Sequence, residues 1–508
     1  MQTFWKTPME TLNVCKVSVP FIPPHLTPPR MFSYRAERIK NASGLGGTTS
    51  PSDSIKDFNK IKRTVTFPSG PRYGRPSHRF GPPTVLFNDA LARLKYDLEH
   101  LDKFTPPHQK LCHAFSLTTI AADFHSSDEE RFKSLKDPLK ELLGTEASWK
   151  ESVASGSTIP DGLWLEGPFA YMIFELKNEP GLGGDPFLQS LVVYGNAVKQ
   201  IVNHLSRSNF PVVLLSMAGN NLVVSTAIYT DAVYADKLLS IDLHLGSHGA
   251  DNVLRVARVF AAIEECTVRL RAQYRLLDNL QNVQPGVMYP SPTADPPEAE
   301  IPRLEFICKL DRQSGARLAT VDEANERHAI YLARMQTNTA GDASDNLVFV
   351  KFTPKYNQEA HRLLANQDPP LAPALFSCNR IIGDMYMVVM EYMSDASPLH
   401  LFFSPFTPPC PLKVEVVRKS LEKALGLLHG QDLVFGDLRQ LNILYSHKGD
   451  CVFLVDFDWV GKHREDRYSP CLNPVVRSDV GRWEVMKKEH DIRSLEGVME
   501  GLGEKVSV

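Results

Sequence analysis

Residues 434–444 read Val-Phe-Gly-Asp-Leu-Arg-Gln-Leu-Asn-Ile-Leu, and residues 453–458 read Phe-Leu-Val-Asp-Phe-Asp. Two short apolar runs, 443–445 and 451–455, flank the polar stretch 446–450, which predicts a β-hairpin. A hairpin in that register leaves the chain little freedom, because it sets Asn442 and Asp456 at neighbouring ends of paired strands. With Asp437 five residues before Asn442, three groups of complementary chemistry converge. One Asp can orient or deprotonate a hydroxyl, while an Asn and a second Asp can hold metal ions against phosphates. Phosphoryl transfer from Mg-ATP needs those groups. Alone, each residue has a plainer reading, since an Asp at a strand end commonly forms a turn or caps a helix.

With 508 residues the chain has room for two or three domains. A hydrophobic content of 43% and a charged content of 23% exclude collagen-like composition and wholesale disorder. The net charge of -3 is unevenly placed, with 13 Lys/Arg against 4 Asp/Glu in residues 1–83. That stretch is crowded with Pro, Ser and Gly and shows no sustained periodicity, so it is expected to be a disordered basic tail. A basic tail can attract nucleic acid weakly or carry a nuclear address. The eight cysteines form no CxxC pair, which suits reduced thiols in the cytoplasm or nucleus. Lys6 and Glu10 interrupt any apolar signal-peptide core, and no apolar run reaches membrane-span length, so no membrane partner is expected.

Ordered structure is expected from about Leu86, where Leu91, Leu94, Leu98 and Leu101 follow helical spacing. Strands are expected near 162–165 and 171–176, a helix over about 186–205, a strand pair at 212–217 and 222–229, and a long helix over about 252–277. Residues 281–302 hold six prolines and little apolar content between them, which reads as a linker. The resulting division is a tail (1–83), a middle domain (84–280), the linker and a C-terminal domain (303–508).

Upstream of Asp437, the residues Val414, Val417, Leu421, Leu425 and Leu428 form a helical stripe closed by His429 and Gly430. The run 386–393, Tyr-Met-Val-Val-Met-Glu-Tyr-Met, reads as a buried strand, and 347–352, Leu-Val-Phe-Val-Lys-Phe, ends on a lysine. An ammonium there can sit among phosphates, and Glu359 on the following helix is the candidate carboxylate to hold it. This order of strand Lys, helix Glu, apolar strand, Asp-x4-Asn and Asp resembles the protein-kinase-like fold. It is more closely similar to the kinase-like proteins abundant in mushroom-forming fungi, which share the style of VVKF…EAHRLL, MVVMEY, GDLRxxNIL and DFDW followed by KKEHD. The resemblance covers about 301–508 and implies a short bilobal domain with a truncated C-lobe. It implies Asp437 as the catalytic Asp, Asn442 and Asp456 as Mg²⁺ ligands, Lys351 paired with Glu359 at the ATP phosphates, and backbone groups from Glu391 to Met393 against adenine. Asp491 would brace the catalytic loop from a late helix.

The chain also departs from that pattern. Phe435 and Gly436 replace the usual His and Arg before the catalytic Asp, which removes the Arg that receives a phosphorylated activation loop. Asp458 replaces the Gly of the metal motif and is expected to stiffen that turn. No GxGxxG precedes Lys351; only Gly315 and Gly341 lie within reach.

In the middle domain, Pro160-Asp161 precedes Glu175-Leu176-Lys177 by fourteen residues. Glu175 and Lys177 are two apart on a strand and so share a face. Asp161 and Glu175 can bind Mg²⁺ while Lys177 positions or activates a water and Gln189 points in from the next helix. That set suits phosphodiester hydrolysis. The PD…ExK spacing and element order resemble the restriction-endonuclease-like fold over about 84–280. Arg255, Arg258, Arg269, Arg271 and Arg275 on the long helix offer phosphate contacts, or simply a solvated face. A nuclease-like module joined to a kinase-like one is similar in architecture to Crinkler-type effectors. The expected fold class is therefore α/β and α+β in two domains. The expected function is ATP- and Mg²⁺-dependent phosphotransfer to Ser/Thr hydroxyls of an unidentified protein substrate. The alternatives are a nucleotide-binding pseudokinase scaffold and a nuclease-type effector acting on nucleic acid.

Overall fold

The structure, a computed structural model, describes residues 81–144, 160–181, 184–278, 285–311, 329–336, 347–403, 412–446, 450–470 and 480–506, with 36, 39, 72–74 and 148–149. Most of the expected tail, residues 281–284 of the expected linker, and Gly315 and Gly341 lie outside the described residues. The architecture is mixed α/β. It falls into two compact units, the first ending at Ala299 and the second beginning at Glu300.

The first unit opens with three helices, α1 (Asp89–Glu99), α2 (His108–Ala122) and α3 (Asp128–Leu143). Its sheet contains β1 (Ser148–Trp149), β2 (Gly162–Glu166), β3 (Phe169–Lys177), β4 (Val212–Ala218), β5 (Asn221–Tyr229) and β6 (Val233–Asp242), in that spatial order. Neighbours are antiparallel except β3 and β4, which are parallel and joined by α4 (Pro186–Gln200). Asp185 caps α4 by accepting from the Phe187 and Leu188 N–H groups, and Pro186 fits a first turn that needs no N–H. The unit closes with α5 (Gly249–Asp278).

All nine residues of β3 are buried, because α4 and α5 both pack against it. A strand covered this way reads as a continuous apolar run, which is why its Glu and Lys stand out. Past α5, the Pro-rich residues expected as a linker run back along the same unit. Ser291 N–H donates to Leu86 O (2.8 Å), and Thr293 Oγ1 donates to an Asp89 carboxylate oxygen (3.0 Å).

The second unit begins with an antiparallel sheet in the order β10-β11-β9-β8-β7. Its strands are β7 (Leu304–Lys309), β8 (Ile330–Met335), β9 (Leu347–Thr353), β10 (Leu375–Ile381) and β11 (Met385–Glu391). One short helix, α6 (Gln358–Ala365), follows β9 and is capped by Asn357. Beyond β11 come β12 (Ala396–Pro398), α7 (Val414–Gly430), β13 (Leu433–Val434), β14 (Ile443–Ser446), β15 (Cys451–Leu454), β16 (Gly461–Lys462) and α8 (Lys488–Val506). The expected α7 stripe is the core of this half: Val417, Leu421, Leu425 and Leu428 pack with Ile443, Leu454, Val498 and Leu502. Each such side chain, once buried, contributes roughly 1.5–3 kcal/mol. Among the described residues, no helix is long and apolar enough to cross a membrane.

Candidate functional site

The β14–β15 hairpin forms in the register the sequence predicts, pairing Ile443 with Leu454, and Val455 N–H then donates to Asn442 O (3.0 Å). Asn442 and Asp456 therefore sit side by side. Asp437 lies at the other end of the loop, 4% exposed, and Asn442 Nδ2 donates to both its carbonyl (2.9 Å) and its Oδ2 (2.8 Å). Both contacts use the Asn442 amide nitrogen, which leaves Oδ1 as the acceptor of that side chain. Arg439, which the sequence reading passed over, pairs with Asp437 Oδ2 at 2.9 Å. Its place two residues after Asp437 was the available signal.

The loop is anchored from behind. Asp491, on the first turn of α8, is 1% exposed and accepts from the N–H groups of Phe435 (2.7 Å) and Gly436 (2.9 Å) and from His429 Nε2 (3.0 Å). Gly436 sits at φ +80°, and a Cβ there would lie 2.6 Å from Met486 Cε and 2.9 Å from Trp459 O. No side chain fits there, which accounts for glycine at this position.

Lys351 comes from β9 in the five-stranded sheet and reaches across the same unit. Its Nζ donates to Asp456 Oδ1 (2.6 Å) and Asp458 Oδ2 (2.7 Å). Burial alone lowers the lysine's pKa, but the charges of Asp456 and Asp458 reverse this and hold it above the ordinary value. Asp458 is pushed up to about 6, first by burial and then by Asp456, with Lys351 and Thr353 pulling the other way. Its Oδ2 also accepts from Thr353 Oγ1 (2.8 Å), and its Oδ1 is buried with no hydrogen-bond partner among the described residues. Asp456 itself adopts φ 72°, ψ 65°, a left-handed conformation that Asp tolerates at functional turns. Where the sequence suggested Asp458 only as a stiffener of that turn, it is half of the lysine's ion pair.

Glu359, the expected partner of Lys351, is exposed on α6 and makes no ion pair with it. Its helix instead turns His361 inward. That ring stacks on Phe457 (4.6 Å between centroids), and Phe457 meets Phe435 edge-on (5.7 Å), tying α6 to the loop before Asp437. His361 Nε2 faces Pro373 O (2.8 Å) and so carries the proton, leaving Nδ1 to accept from Tyr356 OH (2.7 Å). Burial lowers its pKa from 6.5 to about 4. Between those values the unfolded chain takes up a proton that the folded one refuses. Stability should therefore fall as pH drops from 6.5 towards 4, by about 3 kcal/mol over the whole window. Urea titrations at several pH values should show that slope, and His361→Gln should remove it.

Glu391 ends β11, and its N–H donates to Ala374 O (2.9 Å). Met393, half-buried just beyond, accepts from Ala396 N–H (3.4 Å). Both lie on the segment between the five-stranded sheet and the rest of the unit.

The first unit holds a second polar cluster. Glu175 and Lys177 are buried on β3, and Asp161 stands just before the paired strand β2, its Oδ2 accepting from Leu176 N–H (2.8 Å). Glu175 is raised well above the usual carboxylate range, first by burial and then by the Asp161 charge, with Lys177 opposing. Its Oε1 is buried with no hydrogen-bond partner among the described residues. Gln189 is 1% exposed on the first turns of α4, the helix packed on β3. Lys177 Nζ is held by Asp128 Oδ2 (2.9 Å) at the start of α3, a residue no local pattern in the sequence pointed to.

Four of the five arginines on α5, read from the sequence as phosphate contacts or as a solvated face, are engaged within the unit. Arg271 and Arg275 pair with Glu166, Arg269 with Glu265, and Arg258 donates to Phe104 O. These bonds neutralise or occupy them, which favours the solvated face over phosphate contacts.

Among the described residues, no three His, Cys, Asp or Glu side chains form a preassembled metal cluster. The donor set beside Lys351 is an amide oxygen and carboxylates, the hard ligands that suit Mg²⁺.

No protein-family model matches the chain, and no curated protein matches it. Among solved structures, the chain is similar to the kinase PK-1 of Cydia pomonella granulovirus, with 20% identity over 39% of this chain and 67% of that one. The TM-score is 0.27, a weak overlap.

Proposed function

We propose that the second unit is an ATP- and Mg²⁺-dependent phosphotransferase of protein-kinase-like fold, acting on Ser/Thr hydroxyls of a protein substrate. The observation that carries this reading is the contact of Lys351 with Asp456, next to Asn442 and Asp437. It joins a strand lysine from the five-stranded sheet to the loop that bears three acidic or amide oxygen donors.

Asp437 would accept the proton of an attacking hydroxyl, and Arg439 beside it would steady charge on the transferred group. Asn442 Oδ1 and Asp456 would hold the metal ion, whose chemistry is to neutralise charge on the phosphate oxygens. Lys351 would release its hold on the carboxylates and pair with phosphate oxygens. Backbone groups from Glu391 to Met393 would meet adenine. Glu359 keeps a place in this proposal only if α6 shifts when nucleotide binds, since Lys351 is already held by two other carboxylates.

Binding should appear as stabilisation: Mg-ATP at 100 times its Kd adds about 2.7 kcal/mol to the unfolding free energy. Thermal unfolding with ATP and Mg²⁺ should show that gain in the wild type and lose it in Lys351→Met and Asp456→Ala. Stabilisation unchanged in both variants would remove this site from nucleotide binding. A gain that is present without any turnover would instead favour the pseudokinase scaffold.

A second reading concerns the first unit, where Asp161, Glu175, Lys177 and Gln189 would form a metal-dependent phosphodiesterase site. The buried, unpartnered Oε1 of Glu175 favours it, because an acceptor left unmade in a core normally costs about 1–3 kcal/mol. A divalent cation would repay that cost. Mn²⁺ alone should stabilise the wild type, and Glu175→Gln should abolish the effect while raising stability in metal-free buffer at neutral pH. Cleavage of DNA or RNA that persists in Asp161→Ala would exclude this site.

A further inference from the structure

We infer that Asp458 is a metal-binding carboxylate, and that a divalent cation takes the place Lys351 now holds between Asp456 and Asp458. This deepens the phosphotransferase reading and rests on it. Position 458 lies within a short 3-10 turn, Phe457–Trp459, with no left-handed backbone that would call for a special residue. The choice of Asp there must come from its side chain.

That side chain is placed as a ligand would be. Asp456 Oδ1 and Asp458 Oδ2 lie 2.6 Å and 2.7 Å from one ammonium nitrogen, so a single cation already bridges them. Thr353 Oγ1 fixes the Asp458 rotamer by donating to Oδ2 at 2.8 Å. The second oxygen, Oδ1, is buried with no hydrogen-bond partner among the described residues, and a carboxylate oxygen in that state is stabilised by a cation.

Charge balance points the same way. Lys351 is held between two carboxylates, Asp456 and Asp458, and so already faces more negative charge than it can neutralise alone. A nucleoside triphosphate adds more negative charge, so its binding next to Asp458 needs divalent cations to offset the repulsion. With Asp458 as a further ligand, the cation would occupy the bridge and free Lys351 for the phosphates. The extra carboxylate would therefore tie nucleotide affinity tightly to metal.

The test measures Mn²⁺ affinity of the full chain by electron paramagnetic resonance, in saturating non-hydrolysable ATP analogue. It also compares analogue affinity with Mn²⁺ and with EDTA. Asp458→Asn can still accept from Thr353 through its amide oxygen, and Asp458→Ser removes the carboxylate with a small polar side chain. Each should weaken Mn²⁺ binding at least tenfold and shrink the metal dependence of analogue affinity, while Asp458→Glu should restore both to within a few fold of wild type. A purely structural Asp458 would leave the metal dependence unchanged. If both variants bind Mn²⁺ as the wild type does while Asp456→Asn does not, this inference is overturned and the phosphotransferase site stands. If Asp456→Asn also binds normally, the site reading itself falls.

Discussion

Asp437→Asn should cut phosphate transfer by roughly 10²–10⁴-fold while Mg-ATP still stabilises the protein. The asymmetry follows from the geometry. Asp437 is 4% exposed and is held by Asn442 and Arg439, whereas Lys351 is held by Asp456 and Asp458. An Asn at 437 keeps the volume and an acceptor oxygen, so the loop should survive. What it loses is the basic oxygen that would accept the hydroxyl proton. A comparable loss of both transfer and nucleotide stabilisation would instead place Asp437 in nucleotide binding, and the assigned role would be wrong.

The largest stability effect is expected at Asp491. Asp491→Ala strips the acceptor from two buried backbone N–H groups, those of Phe435 and Gly436, and from His429. Orphaned buried donors cost about 1–3 kcal/mol each, so the total should reach about 3–5 kcal/mol. In a unit of this size that is a melting-temperature drop on the order of 10 °C. Calorimetry on wild type and variant measures it directly. A shift of only a degree or two would mean the loop leading to Asp437 holds its shape without this anchor.

Local pattern carried far into the fold. The hairpin that joins Asn442 to Asp456 was legible because its strands are short, adjacent and separated by one polar turn. Glu175 and Lys177 could be set on one face because strand side chains alternate. The α7 stripe and the anchoring role of Asp491 were also readable, the second through the resemblance to kinase-like proteins.

Elements whose signal was weak or long-range escaped. The helix α2 buries mainly small residues, Ala114, Leu117, Thr118 and Ala121, so its stripe is faint. The helix α3 carries Pro138 in its interior, which reads as a breaker, although Leu135, Leu139, Leu142 and Leu143 are buried. In β6 a register shift disrupts the alternation that would have marked it as a strand.

The partner of Lys351 shows the limit most clearly. Glu359 lay eight residues away in sequence and had the right charge, yet it faces solvent. The carboxylates that do bind the lysine lie 105 and 107 residues further along. Only the folded unit shows that β9 crosses over the turn bearing Asp456 and Asp458. Asp128 and Lys177 repeat the lesson at a separation of 49 residues.

Transfer of radiolabelled phosphate from γ-labelled ATP tests the central claim most directly, using the full chain, Mg²⁺ and a mixture of Ser/Thr-containing protein acceptors. The account predicts label on protein hydroxyls with the wild type, and at most background with Asp437→Asn and Asp456→Ala. Wild-type transfer no greater than that of the two variants would contradict it.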